Sequence, residues 1–360
     1  MKKKARHWIW LGASAAVLAL IAYHISRGGE WRQFRWDRLW AALLDANPLL
    51  LLAAVLATYS SYVVRAYRWG FFLDPIKKVS LRVLFTGQIV GFAAIYLLGR
   101  PGEIVRPGYI ANRSGVSYTS MAAVWLLERV FDTIIIALLF SAALFVVPLS
   151  TAPGAGGPTI AGLSGAHLAS VVVLLGTGIF VGFLVWFRIR ADKGHLKTPR
   201  VLRFLSPHRQ QQFEHFLRSF ADGLGVIRNF RDLRASIAST VLLWIINVSF
   251  FWLVFRSMGG DVGRLSWMAA AMIIFFAVLG LLVQIPGIGG GVQVAIIKVM
   301  TTFMGIAVEE ATGAAILLWI ALTVPCLVLA IILLVHEGLT FKKLETIAEE
   351  ERAHSVGENQ

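Results

Sequence analysis

Eight apolar segments separated by short polar stretches constrain this chain more than any other feature. They cover residues 8–25, 48–67, 83–98, 118–148, 167–187, 235–255, 267–285 and 307–335. A helix needs about 20 predominantly apolar residues to cross a bilayer, so most of these segments can span a membrane. Only 15% of the 360 residues are charged, whereas a soluble domain has about 25%. The sequence therefore predicts an all-α, polytopic membrane protein.

The lysine and arginine counts of the loops favour one topology, because short cytoplasmic loops are enriched in these residues. Loop 188–234 contains eleven of them and loop 149–166 contains none. A topology of eight full spans would place nineteen Lys and Arg residues inside and fourteen outside, which is a weak bias. A topology of six spans plus two re-entrant hairpins, at 83–117 and 267–306, would place twenty-three Lys and Arg residues inside and six outside. We therefore expect six spans, two hairpins that enter from opposite faces, and cytoplasmic termini; eight full spans are the alternative.

The chain is expected to form one transmembrane domain, 1–340, followed by a short acidic cytoplasmic tail, 341–360. The N-terminal stretch, MKKKARHWIW and the apolar residues that follow, is interpreted as an uncleaved signal anchor. The single cysteine, Cys326, lies in an apolar run, so we expect a core or lipid-facing residue and no disulfide framework. The net charge of +14 indicates contact with anionic lipids. We expect no nucleic-acid partner, because no recognition module is present.

Both predicted hairpins carry helix breakers at their tips. The first tip, GRPGEIVRPG, contains Gly99, Pro101 and Gly102, and the second, IPGIGGG, contains Pro286, Gly287, Gly289 and Gly290. Broken elements that enter from opposite faces are typical of inverted repeats, although the two halves share no clear sequence repeat. Non-helical backbone at membrane depth must be covered by protein or a water-filled cavity. We therefore expect the two tips to meet around a buried polar cavity.

Charged residues at the first tip are candidates for an anion site. Arg100, Glu103 and Arg106 are spaced three apart, and a broken helix also exposes backbone N–H groups. Guanidinium groups match the geometry of phosphate, which favours binding of a lipid phosphate. The alternative is a cytoplasmic interfacial loop with ordinary salt bridges.

A second charged group, Glu128, Arg129 and Asp132 in the stretch LLERVFD, opens the next apolar segment. Glu128 and Asp132 are four residues apart and share one helix face. They could hold Arg100, Arg106 or Arg113 in place. A structural brace for the hairpin and a substrate site are both compatible with this pattern.

Arg65 and Arg68 lie near the end of an early apolar segment, beside Tyr67 and Trp69. They could be snorkelling anchors at the membrane surface, or they could contact a lipid phosphate. At the second tip, Gln284 and Gln293 flank the glycines and Lys298 follows. Either a tightly packed kinked helix or backbone groups that line the cavity would explain this composition.

The basic loop 188–234 contains an amphipathic stretch, 208–230, with apolar residues at helical spacing. It is predicted to lie on the inner leaflet or to pack beneath the bundle, and the loop could dock a partner in envelope biosynthesis. The histidines of this loop, His195, His208 and His215, lack ligand spacing. We therefore expect no metal site and no cofactor.

The combination GRPGEIVRPGYIANRSGVS and LLERVFD resembles the hallmark of the lysylphosphatidylglycerol synthase transmembrane-domain family of flippase-like proteins. The family pattern has Gly-x-x-Gly-Glu-x-x-Arg, then Glu-Arg-x-x-Asp, and an earlier Arg-x-x-Arg-Trp that Arg65, Arg68 and Trp69 match. The resemblance covers about residues 8–340. It implies a polytopic bundle with re-entrant elements that moves lipids between leaflets.

Two features depart from that family. Bifunctional members carry a soluble synthase domain that these 360 residues do not contain, so aminoacyl transfer is not expected. In PGIGGGVQ, Gln293 stands where the family often has glutamate and Ile288 where it has a second glycine. The missing carboxylate argues against proton coupling or recognition of a cationic headgroup at that position.

We therefore expect a non-enzymatic flippase or transporter for a phosphate-bearing lipid, either a phospholipid or a polyprenyl-linked glycolipid. No nucleotide-binding motif is present, so movement would be passive or ion-coupled. One rival is a membrane-embedded transferase with Glu103, Glu128 or Asp132 as acid or base. Another is a non-catalytic subunit of a lipid or cell-envelope synthesis complex.

Overall fold

This computed structural model describes residues 34–74, 76–148, 165–192, 230–281, 284–285 and 289–336. These ranges contain ten α-helices, which are α1 Trp36–Leu44, α2 Pro48–Leu73, α3 Leu81–Leu98, α4 Val105–Ser114, α5 Tyr118–Val146, α6 Gly165–Asp192, α7 Phe230–Ser257, α8 Trp267–Gly280, α9 Gly291–Met304 and α10 Val308–His336. Two 3₁₀ helices, Arg100–Ile104 and Val262–Arg264, and a two-residue antiparallel pairing of β1 Gln284–Ile285 with β2 Gly289–Gly290 complete these elements.

Six of the described helices are long and apolar enough to cross a membrane, namely α2, α3, α5, α6, α7 and α10. The predicted all-α polytopic class is therefore confirmed. These six helices differ from the six predicted spans in two respects. Helix α3 is long enough to span but was predicted as the first arm of a hairpin, and the predicted span 8–25 lies outside the described residues. Helices α8 and α9 have 14 residues each, which gives each a length of about 21 Å, too short to span the hydrocarbon core alone.

The first hairpin consists of α3, the 3₁₀ helix Arg100–Ile104 and α4. The chain reverses at Gly99, whose φ of 70° lies in the left-handed region that favours glycine. Gly87 and Gly91, four residues apart, let α4 approach α3 closely, because a Cβ at Gly91 would collide with Arg106. Lys77 Nζ donates to the carbonyl of Ser114 at 2.6 Å. Both ends of this hairpin therefore lie at one end of the bundle, which we call the Lys77 end.

The second hairpin consists of α8, the β1–β2 pairing and α9. Gly280 and Gly291 lie at the crossing of its arms, since a Cβ at Gly280 would collide with the carbonyl of Gly291. Glu310, in the first turn of α10, accepts hydrogen bonds from the backbone N–H groups of Asp261 and Val262. These bonds hold the segments before α8 and after α9 together at one end of the bundle.

That end is opposite the Lys77 end. The backbone N–H of Asn47, just before α2, donates to the carbonyl of Ser257 at 2.7 Å, so α7 ends where α2 begins. We call this the Asn47 end. Helix α2 runs from the Asn47 end to the Lys77 end over 26 residues, or about 39 Å. The two hairpins therefore open at opposite ends of the bundle.

The helix contacts follow an inverted repeat. One half consists of α2, the first hairpin and α5, and the other of α7, the second hairpin and α10. Helix α2 packs against α7; α5 packs against α8, the first arm of the other half's hairpin, and α10 likewise packs against α3. The second arms, α4 and α9, each pack against the long helix that follows, α5 and α10. Opposite running directions and matching contacts give the inverted repeat that the topology predicted.

Three apolar clusters fill the bundle. The largest joins α5, α7, α8, α9 and α10, with Phe255, Met272 and Met300 at its centre. The second joins α2, α4 and α5 around Trp69 and Leu127, and the third contains Cys326, which is fully buried and therefore a core residue. Because lipid is as apolar as these side chains, close packing and not water exclusion stabilises the helix contacts.

We expect Asn47→Ala to lower the free energy of unfolding by about 1 kcal/mol. The Asn47 carboxamide oxygen accepts hydrogen bonds from the backbone N–H groups of Leu49 and Leu50. These N–H groups lie in the first turn of α2 and therefore have no backbone acceptor within the helix. Thermal unfolding of the purified protein in detergent measures the effect. Asn112→Ala, at an exposed position of α4, is the matched control, and equal melting temperatures for both variants would contradict the capping role.

Candidate functional site

Six charged side chains from three helices form one buried cluster, which we call the arginine–carboxylate cluster. Its members are Arg65 and Arg68 of α2, Arg106 of α4, and Glu128, Arg129 and Asp132 of α5. Four arginines against two carboxylates leave a formal excess of two positive charges. Such a charge excess inside a bundle of membrane-length helices is costly and usually marks a site of function.

Glu128 is the centre of the cluster and is fully buried. It accepts from Arg68 Nη2 at 2.6 Å, from Arg106 Nη2 at 2.6 Å and from Arg129 Nη2 at 3.1 Å. A fourth guanidinium, that of Arg65, lies 4.0 Å from Glu128 Oε1. One carboxylate therefore joins α2, the second arm of the first hairpin, and α5.

Asp132, one turn further along α5, extends the cluster to the second half of the repeat. It accepts from Arg68 Nη1 at 2.6 Å and Nη2 at 3.3 Å, and from the indole Nε1 of Trp244 in α7 at 3.1 Å. Arg68 Nη1 also donates to Thr240 Oγ1, at 3.4 Å. The contact between α2, α5 and α7 thus contains an ion pair, and Thr240 and Trp244 of the opposite half each form a hydrogen bond with it.

Aromatic and amide side chains hold the guanidinium of Arg106. Its Nη1 donates to Gln88 Oε1 of α3 at 2.9 Å, and its Cζ lies 4.6 Å from the ring centroid of Trp69. Phe92 of α3 supplies a second ring, 5.1 Å from Arg65 Cζ and 5.9 Å from Arg106 Cζ. Cation–π contacts of this kind are strongest in water-poor sites, so the two hairpin arms position Arg106 against α2 and α5.

Several buried N–H donors in the cluster and in the side chains that contact it lack a hydrogen-bond partner among the described residues. They are Nε of Arg65, Arg68 and Arg129, Nε2 of Gln88 and Nε1 of Trp69. Buried donors are nearly always satisfied in native proteins, so this group of donors in a positively charged site suits an oxyanion. Arg129 has 43% of its side chain exposed and Arg65 has 14%, which makes these two the members that a ligand reaches first.

The cluster lies in the half of the bundle near the Lys77 end. Glu128 comes ten residues after the start of α5, which corresponds to about 15 Å along the helix. Arg68 comes five residues before the end of α2, or about 8 Å from that end. The site therefore lies inside the bundle, about 8–15 Å from the ends of these two helices.

The structure brings together some of the predicted site residues. Arg106 and Glu128 are paired as the sequence suggested, and Arg65, Arg68, Arg129 and Asp132 join them. The snorkelling interpretation is wrong for Arg68, because its side chain is fully buried inside the bundle. Gln88, Thr240 and Trp244 were missed, and Trp69 was noted only as part of a motif. A lone glutamine in the apolar α3 was a signal for the first, whereas nothing in the sequence connected α7 to this site.

Other predicted residues lie elsewhere or lack a described side chain. Arg113 is exposed in the last turn of α4, with its Cζ 5.8 Å from the ring of Tyr109. Glu103 is half-buried in the 3₁₀ helix, beside Pro101. Gly102 packs against the backbone of Ala94 in α3. Arg100 is part of the same 3₁₀ helix, but its side chain is outside the described part.

At the second tip, Gln293 has a local role. Its Oε1 accepts from the backbone N–H of Gly290 at 2.7 Å, and Gly290 has a φ of 94° that favours glycine. The amide oxygen thus closes the turn into α9, a contact that a glutamate carboxylate would also make. Gly289 pairs with Ile285 through the backbone, whereas Pro286 and Gly287 fall outside the described residues. The predicted meeting of the two tips stays a prediction.

The predicted absence of a metal site also stays a prediction. The described part of the chain contains no group of three His, Cys, Asp or Glu side chains that could hold a metal ion. His195, His208 and His215, and most of the amphipathic stretch 208–230, lie between residues 193 and 229, outside the described ranges. The partner surface proposed for that loop is likewise untested.

Comparison with known proteins identifies the family. A search of curated proteins finds no match to the chain. A family model described as the lysylphosphatidylglycerol synthase TM region matches residues 8–330, which include both hairpins and the whole arginine–carboxylate cluster. The resemblance read from the motifs around Glu103 and Glu128 is therefore confirmed, and the chain belongs to the lysylphosphatidylglycerol synthase TM region family.

Proposed function

We propose that this protein moves a phosphate-bearing lipid between the leaflets of the cytoplasmic membrane and holds the phosphate at the arginine–carboxylate cluster. The observation that carries the proposal is the excess of two positive charges inside the helix bundle, accompanied by buried N–H donors without partners among the described residues. The phosphodiester of a phospholipid would neutralise one of these two charges, and its oxygens would accept hydrogen bonds from such donors. Guanidinium–phosphate pairs are among the strongest hydrogen-bonded contacts in proteins.

The charges of the cluster favour an anionic headgroup over a cationic one. Glu128 already contacts four guanidinium groups, and Asp132 is occupied by Arg68 and Trp244. Neither carboxylate is left to pair with an amine of a lipid headgroup. Phospholipids and polyprenyl-linked glycolipids both carry the required phosphate.

The arrangement of the two hairpins supports a transport function. We take both as re-entrant, because they open at opposite ends of the bundle and α8 and α9 are too short to span. We propose that the Lys77 end is cytoplasmic, because Lys77, Lys78 and Arg82 lie there. The proposal that both chain termini are cytoplasmic rests on the loop charges of the sequence. Inverted repeats of this kind expose a central site to alternate sides when one half moves against the other. The chain's part in lipid handling is thus transport, with no catalytic step.

Lipid movement in proteoliposomes tests the proposal. Fluorescent phosphatidylglycerol and a polyprenyl-phosphate analogue would be compared with a glycosyl-diglyceride that lacks phosphate. We expect Arg129→Gln to slow transport of the phosphate-bearing lipids about tenfold or more, because a charge-assisted hydrogen bond contributes about 1.5–3 kcal/mol. Arg129 is only half-buried, so the variant should fold.

Arg190→Gln is the matched control, since Arg190 is an exposed arginine of α6 outside the cluster. It should transport at the rate of the unmodified protein. Folded protein that moves none of the phosphate-bearing lipids faster than empty vesicles would refute the proposed function. Equal rates for both variants would refute the phosphate site at Arg129.

A further inference from the structure

A groove opens on the membrane-facing surface between α2, α3 and α10. It has a volume of about 680 Å³ and is lined mainly by apolar side chains, among them Val63, Phe85, Val328 and Ile332, together with Ser60. This volume is within the range of about 300–1,000 Å³ that is typical of ligand sites. Because it faces the hydrocarbon region of the membrane, the occupant that fits it is an apolar lipid chain.

One apolar cluster of side chains connects the groove with the arginine–carboxylate cluster, because Tyr59, Phe85 and Leu329 of the groove pack in it together with Tyr62 and Phe92. The ring centroids of Tyr62 and Phe92 are 5.4 Å apart, and the Arg65 guanidinium lies over the same Phe92 ring. A lipid whose phosphate is held near Arg65 can therefore place its chain in the groove.

The inverted repeat gives this groove a counterpart. The groove follows the contact between α3 and α10, which we call the first seam. The equivalent contact in the other half is between α8 and α5, the second seam. Phe85 is four residues from the start of α3 and Ile332 four residues from the end of α10, so the first seam lies toward the Lys77 end. Phe140 is six residues from the end of α5, so the second seam lies toward the Asn47 end.

The two seams differ in packing. At the second seam, Phe140 stacks on Phe275 with centroids 3.8 Å apart and planes 10° from parallel, and Phe276 packs against Phe140 edge-on at 5.5 Å. Close stacking of this kind closes the space that the groove occupies at the first seam. The two halves thus make equivalent helix contacts, but the first seam is open and the second seam is closed.

We infer that the two seams are a pair of lateral lipid openings, of which the first is open and the second is sealed by Phe140 and Phe275. The inference rests on the proposed function and adds the path of the lipid. The apolar chain enters the first seam from the leaflet at the Lys77 end while the phosphate binds the cluster. Release into the other leaflet requires Phe140 and Phe275 to separate. The second seam then becomes open and the first seam closed.

Photolabelling tests the first seam without depending on transport. The probe is a phosphatidylglycerol analogue with a diazirine at the end of one acyl chain, incorporated into vesicles that contain the protein. We expect labels on α2 between residues 56 and 63 and on α10 between 328 and 332. Ser60→Trp should remove them by filling the groove. Gly178→Trp should retain them, because Gly178 lies in α6 with no atom within 4 Å of an added Cβ.

Reversible crosslinking tests the second seam. With the single cysteine replaced by alanine, Phe140→Cys and Phe275→Cys would be joined by a short thiol-specific reagent that reduction cleaves. We expect crosslinking to stop lipid movement and reduction to restore it. Phe276→Cys with Phe303→Cys is the matched control, because this pair, with ring centroids 6.1 Å apart, joins the two arms of one hairpin and does not cross the seam.

The outcomes separate the inference from the proposed function. Labels scattered evenly over the membrane-facing helices, failure of the Phe140→Cys and Phe275→Cys pair to crosslink, or full transport by the crosslinked pair would overturn the paired openings while leaving transport intact. Labelling confined to the first seam in a protein that moves no lipid would instead refute the transport function and leave the groove as a site for lipid chains.

Discussion

Glu128→Gln is expected to lower the free energy of unfolding by about 3–5 kcal/mol, the cost of breaking a buried ion pair from one side. The carboxylate is fully buried and contacts Arg65, Arg68, Arg106 and Arg129. Glutamine keeps the shape of the side chain but removes the charge, so four arginines would face Asp132 alone. Water cannot reach the buried guanidinium groups to replace what is lost.

Thermal unfolding in detergent measures the effect, and Asp74→Asn is the control. Asp74 is an exposed carboxylate at the end of α2, so the same chemical change should leave the melting temperature nearly unaltered. A Glu128→Gln protein as stable as the control would show that the cluster is solvated and not buried.

A second variant identifies the cause. Combining Glu128→Gln with Arg106→Gln removes one of the uncompensated charges, so the double variant should be more stable than Glu128→Gln alone. Such a coupling between neighbours is what a double-mutant cycle isolates. Further loss of stability in the double variant would indicate that packing and not charge dominates at this site.

The sequence predicted the fold well where composition alone determines it. The length of the apolar segments defined the long helices, and the glycines and prolines of the two tips defined the reversals at Gly99 and before Gly290. The symmetry was inferred from loop charges and not from residue similarity. It is visible in the structure because backbone contacts, which depend on helix length and direction, can repeat where side chains do not.

The cluster could be predicted only in part, because its partners are distant in sequence. Helical spacing showed that Glu128 and Asp132 share a face, but it could not show that Arg68, 60 residues before Glu128, lies buried against them. The bond from Arg68 to Thr240 joins residues 172 apart. Such a contact depends on how α2 packs against α7, and no local pattern contains that information.

The spacing of Gly87 and Gly91 was a signal that sequence reasoning did not use. Two glycines four residues apart in an apolar helix often mark a face where another helix approaches closely. Here that helix is α4, and the closest approach is at Arg106. The small residues of α3 therefore place an arginine inside the bundle, and the packing of the hairpin and the geometry of the cluster depend on each other.

Gly91→Ala is expected to destabilise the protein by about 1–3 kcal/mol, the usual cost of overpacking, and to abolish lipid transport. In an exposed helix the same change would stabilise by up to about 1 kcal/mol, so the sign of the effect is diagnostic. The added methyl group would collide with Arg106 Cβ and lie 3.2 Å from Arg106 Cα. Helix α4 must then move away from α3, which withdraws the Arg106 guanidinium from Gln88 and Glu128.

Gly178→Ala provides the comparison, since an added Cβ there meets no atom within 4 Å and helix propensity alone should act. Melting temperatures and transport rates of both variants would be measured side by side. If Gly91→Ala were as stable and active as Gly178→Ala, the first hairpin would have to be loose enough to absorb a methyl group. Arg106 could then not be held at a fixed position by the packing of α4 on α3. Loss of transport with stability retained would separate the two roles, because it would show that displacing Arg106 disables the site without unfolding the bundle.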